Sequence, residues 1–378
     1  MKKIIKDYLV FLYNFIRITP YAKNRKDYTL FINTPSKCFW RLYYELILVV
    51  CKEGFYFGKQ PVPEIYYQLG LDCADRNLKD YLFPLERKAI EDKINEIRNP
   101  FYFGFTDKRI ASIVLEFYGL PHNPPIGVLD KTINGGYEVQ KLNGKSMSWA
   151  SFLCENNKRE FFLKFLIGHG GEGVNKIDSR CLDRLSKISE EEQFEFAKSF
   201  KTPAVLEPVI KNHPDVSFFH PNSLNTIRLI TIMRKGVPEL VAAIFRIGAG
   251  GEAIDNFSKG GVSVKIDFET GTLNKHGLQK GVAGSGFTHH PDTNVKFEGK
   301  QIPYWNDIKG IVLTGHLKLK YPHTIGWDIG VSPEGPVIVE LNRYPGLLMV
   351  QEHYGGWRKI FNEYYLKELD LLVENNKI

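Results

Sequence analysis

The sequence predicts an α+β protein, with a mainly helical N-terminal region over residues 1–100 leading into a strand-rich remainder. Three observations carry this. Apolar residues recur at helical spacing through the first 55 positions, as Ile5, Tyr8, Leu9, Leu12 and Ile16 and then Leu42, Leu46, Val49 and Val50. From about residue 150 short apolar runs alternate with glycine-rich turns, the pattern of strands. A chain of 378 residues with 43% apolar content also suffices for two or three domains with cores of their own.

The first helix is basic and aromatic. Lys2, Lys3 and Lys6 precede an apolar run from Tyr8 to Ile16, which no small-residue cleavage site follows and which falls short of the roughly 20 residues that span a bilayer. It reads either as a helix docked on its own domain or as a surface helix over residues 1–26 resting on anionic lipid, with Arg17, Lys23, Arg25 and Lys26 adding charge. Cys38, Cys51, Cys73, Cys154 and Cys181 are scattered and never in CxxC spacing, which predicts neither a disulfide framework nor zinc and fits a reducing cytoplasm. The expected location is cytoplasmic, or peripheral at the inner membrane face in the lipid reading. A net charge of +7 suits anionic ligands. No basic block interleaved with aromatics marks a nucleic-acid partner.

Next, a charged helical stretch containing Glu86 to Arg98 leads to Asp107, Lys108 and an apolar-periodic helix from Ile110 to Tyr118, which Gly119 and Pro121 end. Strands are expected at Glu160–Ile167, Ala204–Ile210, Thr226–Met233, Leu240–Ile247 and Val262–Phe268, and a last amphipathic helix at Trp357–Val373.

The strongest chemical signal is TIGWDIGVSPEGPVIVELNRYPG, Thr324 to Gly346. Two strand-like runs flank Pro333, Glu334 and Gly335, so a hairpin with a three-residue loop is expected. With Ser332 facing Pro336, Asp328 stands opposite Glu340, roughly 5 Å away on one face, and Asn342 points the same way. Facing carboxylates call for a cation, and an all-oxygen set suits Mg²⁺; the alternative is a salt bridge from Asp328 to a nearby lysine.

Four weaker signals precede it. In Phe161 to Ile167, Lys164 interrupts an apolar strand, an expensive place for an ammonium unless it meets an anion, and the glycines Gly168 to Gly173 follow, letting backbone N–H groups approach phosphate. The bland alternative is a flexible turn beside an edge-strand lysine. In Ala204 to Ile210, Pro208 marks an ordinary edge strand or an interdomain crossing, and a crossing can clamp a purine with backbone groups and Glu207 reading its edge. Arg228 and Arg246, on neighbouring strands, suit phosphate or carboxylate. A two-residue turn puts them on opposite faces and a three-residue turn on one face. Lastly, Ala253 to Gly261 is a polar loop of the kind that binds ligands.

Taken in order, these pieces resemble the ATP-grasp superfamily, and HPNSLNTIRLIT, DNFSKGG and GWDIGVSPEGPVIVELNRYPG resemble its sugar-transfer-associated members. The resemblance covers roughly residues 100 to 355. It implies an ATP-grasp fold of two α+β subdomains clamping ATP: a linker and helix at 101–150, a small subdomain with the glycine loop at 151–215, and a large subdomain with the magnesium site at 216–378. By the same resemblance Lys108, Lys164, Gly170, Gly171 and Gly173 would hold the nucleotide phosphates, and Glu207 with the Val209 backbone would hold adenine. Asp328, Glu340 and Asn342 would carry Mg²⁺, with Arg228, Arg246, Asp255 and Asn256 catalytic. No general base stands out, and Asp255 and His220 are the candidates.

The expected activity is an ADP-forming carboxylate–amine ligase working through an acyl-phosphate. Its partners would be a carboxylated sugar or glycan precursor and an amino acid or amine, in capsule or O-antigen synthesis. The alternatives are a peptide-type ligase on a small non-glycan substrate and a nucleotide-binding regulatory protein of a membrane biosynthetic complex.

Overall fold

The computed structural model describes residues 2–24, 28, 35–57, 60–98, 105–167, 173–250, 260–279 and 286–375, with side chains from residue 13 onward. The N-terminal region consists of α1 (Lys2–Lys23), α2 (Phe39–Glu53), a short hairpin of β1 (Tyr56–Phe57) and β2 (Gln60–Pro61), α3 (Val62–Gln68) and α4 (Pro84–Arg98). Ile18 and Ala22 of α1 and Leu42, Leu46 and Val50 of α2 recur one helical turn apart, so each helix turns a single stripe onto Val62, Ile65 and Tyr66. Among the described residues no helix is long and apolar enough to cross a membrane. The next helix, α5 (Lys108–Phe117), starts where the Asp107 carboxylate accepts the Arg109 and Ile110 N–H groups, and Gly119 beyond its end takes a φ of +62°.

The smaller sheet is antiparallel, in the order β5-β4-β3-β8-β6-β7. Its strands are β3 (Gly127–Lys131), β4 (Tyr137–Gln140), β5 (Ser146–Ser148), β6 (Phe161–Phe165), β7 (Asn175–Ile177) and β8 (Ala204–Pro208). The sheet therefore takes strands from within 101–150, the stretch expected to be linker and helix, and does not begin at residue 151. These strands lack apolar runs because β4 and β5 are short and half-exposed, with Val139 their one fully buried side chain. The helices α6 (Trp149–Glu155), α7 (Ser179–Leu185) and α8 (Glu190–Lys198) cover one face, over Leu129, Phe161, Leu163 and Leu206. The strand β8 lies between β3 and β6 and is not an edge. Pro208 is its last residue, where a missing N–H costs the ladder nothing, and the chain then crosses to the other sheet, where His213 N–H donates to the Val331 carbonyl at 2.7 Å.

After a short helix, α9 (Pro214–Ser217), the larger antiparallel sheet follows in the order β12-β11-β10-β9-β13-β14. It comprises β9 (Thr226–Arg234), β10 (Val237–Ile247), β11 (Val262–Ile266), β12 (Leu273–Gln279), β13 (Thr324–Ser332) and β14 (Gly335–Asn342). One face packs Ile227, Leu229, Phe245 and Trp327 on α10 (Trp305–Leu319). The other packs Ile230, Ile232 and Ile244 on Leu82 and Ile94 of the N-terminal region, Val350 of α11 (Leu347–Tyr354), and Trp357 and Phe361. Trp357 heads the final helical run, Arg358–Asn375, which contains a π-helical turn at Phe361–Leu366. The N-terminal region is thus built onto the same sheet face that carries, further along its strands, the residues with chemistry.

Candidate active site

Two hairpins of the larger sheet bring those residues together, and both do so with a bulge. Each turn is two residues long, Lys235-Gly236 between Arg234 and Val237, and Pro333-Glu334 between Ser332 and Gly335. Such turns alone would put Arg246 on the face opposite Arg228, and Glu340 on the face opposite Asp328, because side chains alternate along a strand. One extra residue in each return strand reverses the parity. Val241 interrupts the ladder between Leu240↔Thr231 and Ala242↔Ile230, so Arg228 (opposite Ile244) and Arg246 share a face. Val339 falls between Ile338↔Ile329 and Glu340↔Asp328. Asp328 therefore stands opposite Glu340 as expected, but the three-residue loop does not form. Ser332 pairs with Gly335 and Val331 with Pro336, and Gly335 takes the turn's φ of +130°, open to glycine.

Asp328, 3% exposed, receives both arms of Arg228, the Nη2–Oδ2 contact being 2.9 Å. Arg246 Nη2 lies 3.4 Å from the same Oδ2 while donating to Thr226 Oγ1 at 2.7 Å, and Asn342 Nδ2 donates to Asp328 at 3.3 Å. Burial alone would raise the Asp328 carboxyl, but the two guanidiniums outweigh it and hold the group below the usual carboxylate range. Glu340 is more open and meets the Lys108 ammonium at 3.2 Å. The cations on the paired carboxylates are thus arginines at Asp328 and a lysine at Glu340, where a lysine at Asp328 was the expected alternative to a metal.

On the smaller sheet, Lys164 and Glu207 lie on the face opposite α6, α7 and α8 and meet at 2.6 Å. Lys164 is in β6, between β8 and β7, and so is not on an edge strand. Val209 N–H donates to the Glu160 carbonyl at 3.4 Å. Gly173 has a φ of +68°, and a Cβ there would run into the Phe165 ring. Gly170 and Gly171, with the rest of 168–172, and Asp255 and Asn256, within 251–259, lie outside the described residues. His220, a candidate base, is buried and bonded to Ser223 Oγ at 3.0 Å, in a network through Asn225 that holds Gly248 at the end of β10. Burial lowers its pKa, and its place is that of a structural histidine.

Lys108, Glu207 and Glu340 line one small cavity between the sheets together with Ser112 and His122. His122 Nδ1 lies 3.0 Å from the Leu120 carbonyl, so it carries the proton, and Nε2 accepts from Ser112 at 3.0 Å. A lone histidine in a Pro-rich turn gave no sequence signal for this. A second omission is the grip of α4 on the segment that follows Asn342. Arg87 Nη1 donates to the Pro345 carbonyl at 2.7 Å, the Tyr344 hydroxyl donates to Asp92, and Arg343 lies 3.6 Å from Asp92. Arg87 is braced by Glu91 at 2.8 Å, and burial raises the Glu91 carboxyl. In sequence Arg87, Glu91 and Asp92 read only as part of a charged helical stretch.

The family model described as sugar-transfer associated ATP-grasp matches residues 87–356. The chain belongs to this family. The match begins at Arg87 and takes in both sheets and both hairpins, while α1 to α3 precede it. Solved structures of ATP-grasp ligases are similar in fold. D-alanine–D-alanine ligase from Bacillus anthracis is 14% identical with a TM-score of 0.38, over 70% of this chain and 69% of that one. D-alanyl-alanine synthetase A from Vibrio cholerae is 11% identical with a TM-score of 0.41, over 70% and 65%. The biotin carboxylase domain of the Hydrogenobacter thermophilus 2-oxoglutarate carboxylase, solved with MgADP, is 14% identical with a TM-score of 0.36, over 64% of this chain and 41% of that one. A comparison with proteins of curated function gives no match.

Among the described residues of this ATP-grasp chain, no group of three or more His, Cys, Asp or Glu side chains is set to hold a metal. The Asp328, Glu340 and Asn342 set is instead two carboxylates and an amide. That donor chemistry fits Mg²⁺, which keeps waters and takes one or two carboxylates beside substrate phosphates.

Proposed function

We propose that the chain is an ATP- and Mg²⁺-dependent ligase that activates a carboxylate as an acyl-phosphate and passes the acyl group to an amine, with a carboxylated sugar or glycan precursor as one substrate and an amino acid or amine as the other. The observation that carries this is the ion-pair array. Lys108, Lys164, Arg228 and Arg246 face Glu340, Glu207 and Asp328, so the cations outnumber the carboxylates by one. Such an array suits a polyphosphate that brings magnesium with it. The sugar half of the reading, and with it a place in capsule or O-antigen synthesis, rests on the family's description.

The residues divide the work by how firmly they are held. Lys164 and Lys108, flexible ammonium groups resting on Glu207 and Glu340, exchange a carboxylate for phosphate oxygens. Arg228 and Arg246, fixed by Asp328 and Thr226, present guanidinium charge to the transferring phosphoryl group. Asp328, Glu340 and Asn342 would hold magnesium, whose charge neutralises the phosphates. A substrate carboxylate oxygen attacks the terminal phosphorus and ADP leaves. The amine then attacks the acyl carbon, inorganic phosphate leaves, and the amine gives up a proton.

The test is ADP release by the full chain with ATP, magnesium, a uronic acid and a panel of amino acids. Release that requires both partners, with a product mass equal to their sum less water, is the expected result. Release without an amine, or a stable phosphorylated product, would replace the ligase by an ATPase or a kinase.

A further inference from the structure

The helix α2 is apolar nearly all round, yet at 15 residues it is too short to span a bilayer, and only one side of it is buried. The inward side carries Leu42, Leu46, Val49 and Val50. The outward side repeats at four-residue intervals as Trp40, 75% exposed, Tyr44, 61%, and Leu48, 43%. Beside it, α1 turns out Tyr13, Phe15 and Ile16. A chain of ring contacts joins the two helices into one patch: Phe15 to Tyr43 at 5.0 Å, Tyr43 to Phe39 at 5.7 Å, and Phe39 to Trp40 at 5.3 Å. Single exposed apolar residues are ordinary, but a joined patch of this size marks a contact surface.

The charges around the patch choose the partner. Both carboxylates of α2, Glu45 and Glu53, are turned inward and buried. The same two helices and their ends carry Arg17, Lys23, Arg41 and Lys52, with Arg41 leaning on Glu45 at 3.2 Å and Lys52 on Glu86 at 2.8 Å. Arg17 lies over the Phe55 ring at 3.6 Å and donates to the Tyr56 hydroxyl, so a cation is fixed among aromatics. Two copies meeting through this face would set basic rims against each other. A sheet of anionic headgroups over acyl chains complements both the cations and the aromatic residues, whose amphipathic rings suit a bilayer's interfacial layer.

We propose that the outward faces of α1 and α2 form a docking surface for an anionic lipid bilayer, with Trp40, Tyr44 and Leu48 entering the interface and Arg17, Lys23 and Arg41 meeting the headgroups. This moves the main weight of the contact from residues 1–26 to α2. It is independent of the ligase reading, since none of these side chains belongs to the ion-pair array.

The experiment is co-flotation of the full chain with vesicles of phosphatidylglycerol and phosphatidylcholine, and with phosphatidylcholine alone, at low and high salt. Flotation with the anionic vesicles, weakened by salt, is expected. The triple variant Trp40→Ser, Tyr44→Ser, Leu48→Ser should lose it at least tenfold while its melting temperature stays near wild type. Should that variant fail to fold, Lys23→Glu with Arg41→Glu keeps every apolar contact and should lower partitioning by roughly tenfold or more, at about 1 kcal/mol for each basic residue near the surface. A wild-type chain that stays at the bottom of both gradients overturns the proposal. So does flotation unchanged by either variant, or a concentration-dependent dimer that the triple variant abolishes.

Discussion

Asp328 on the larger sheet and the two lysine-bound glutamates, Glu340 and Glu207, are all carboxylates held by cations, yet they are built differently. Asp328 is enclosed, takes a forked arginine, and has a second arginine and an amide on the same oxygen. Glu340 and Glu207 each hold one lysine by one contact, and the Glu340 side chain is a third exposed. A forked guanidinium is geometrically fixed, whereas an ammonium on a four-carbon stem turns readily to a new oxygen. The same pair of charges can therefore be part of the frame in one place and an exchangeable contact in another.

Asp328→Asn should have the largest effect, because it acts on both counts. Breaking one side of a buried ion pair leaves an uncompensated charge, worth about 3–5 kcal/mol, and the loss should appear as a lower melting temperature without nucleotide. Activity should fall by orders of magnitude. Glu340→Gln is the contrast: ADP release should fall as far while the melting temperature moves much less, since the Glu340 side chain is a third exposed and its ion pair is partly screened by water. If Glu340→Gln is destabilised and active, Glu340 belongs with Asp328 in the frame and the magnesium assignment goes.

Lys164→Ala sharpens the distinction at a smaller scale. It should weaken ATP binding by calorimetry roughly tenfold or more, in keeping with a charge-assisted contact of about 1.5–3 kcal/mol, and it should also lower the melting temperature, because the buried Glu207 loses its cation. Unchanged affinity in a folded protein would leave Lys164 as a partner of Glu207 and nothing more. Smaller again in activity is the effect expected of Arg87→Met, which frees the Pro345 carbonyl beyond Asn342 and also takes the cation from the buried Glu91, so the melting temperature is measured beside it. A severalfold fall in kcat with KM for ATP nearly unchanged marks a positioning role, and an equal loss in both would mark a general structural defect.

Much of this was legible in the sequence where one strand carries its own signal. The Lys164 and Glu207 strands are apolar runs with one polar exception each, and in the Thr324–Gly346 hairpin each strand sets a carboxylate, Asp328 or Glu340, among apolar neighbours, and such exceptions stand out. Register was not legible. Asp328 and Glu340 do face each other, but through a two-residue turn and a bulge at Val339, and the expected three-residue loop gives the same parity by a different route. The bulge at Val241 likewise decides that Arg228 and Arg246 share a face, and nothing in Leu240-Val241-Ala242 announces it. The α4 contacts were hidden for a different reason. Arg87 and Glu91, at helical spacing, look like any solvated ion pair until a loop more than 250 residues away folds onto them.

The effect smallest at neutral pH concerns the opposite face of the strands that carry Arg228 and Asp328, and it separates the integrity of the sheet from that of the ion pair. Trp327 Nε1 donates to Thr231 Oγ1 at 2.8 Å, and Thr231 lies 2.7 Å from His316 Nδ1. His316 Nε2 is 2.9 Å from the Pro322 carbonyl, so Nε2 carries the proton and Nδ1 accepts. The network is complete only while the ring is neutral, and burial pushes the His316 pKa down to about 4 from an ordinary 6.5. Between those values the unfolded chain binds a proton that the folded chain refuses. Stability is therefore full above about pH 6.5 and is lost as pH falls toward 4, at about 1.4 kcal/mol per pH unit for one proton. His323 and His353, each pushed down to about 3 by burial, add limbs of the same sign. His316→Gln should lower stability modestly at neutral pH but flatten the acid slope by one proton, measured by urea unfolding from pH 7 to 5. Asp328→Asn should leave that slope alone, because its carboxylate titrates well below this range. A slope unchanged in His316→Gln would mean that the ring is already protonated in the folded chain.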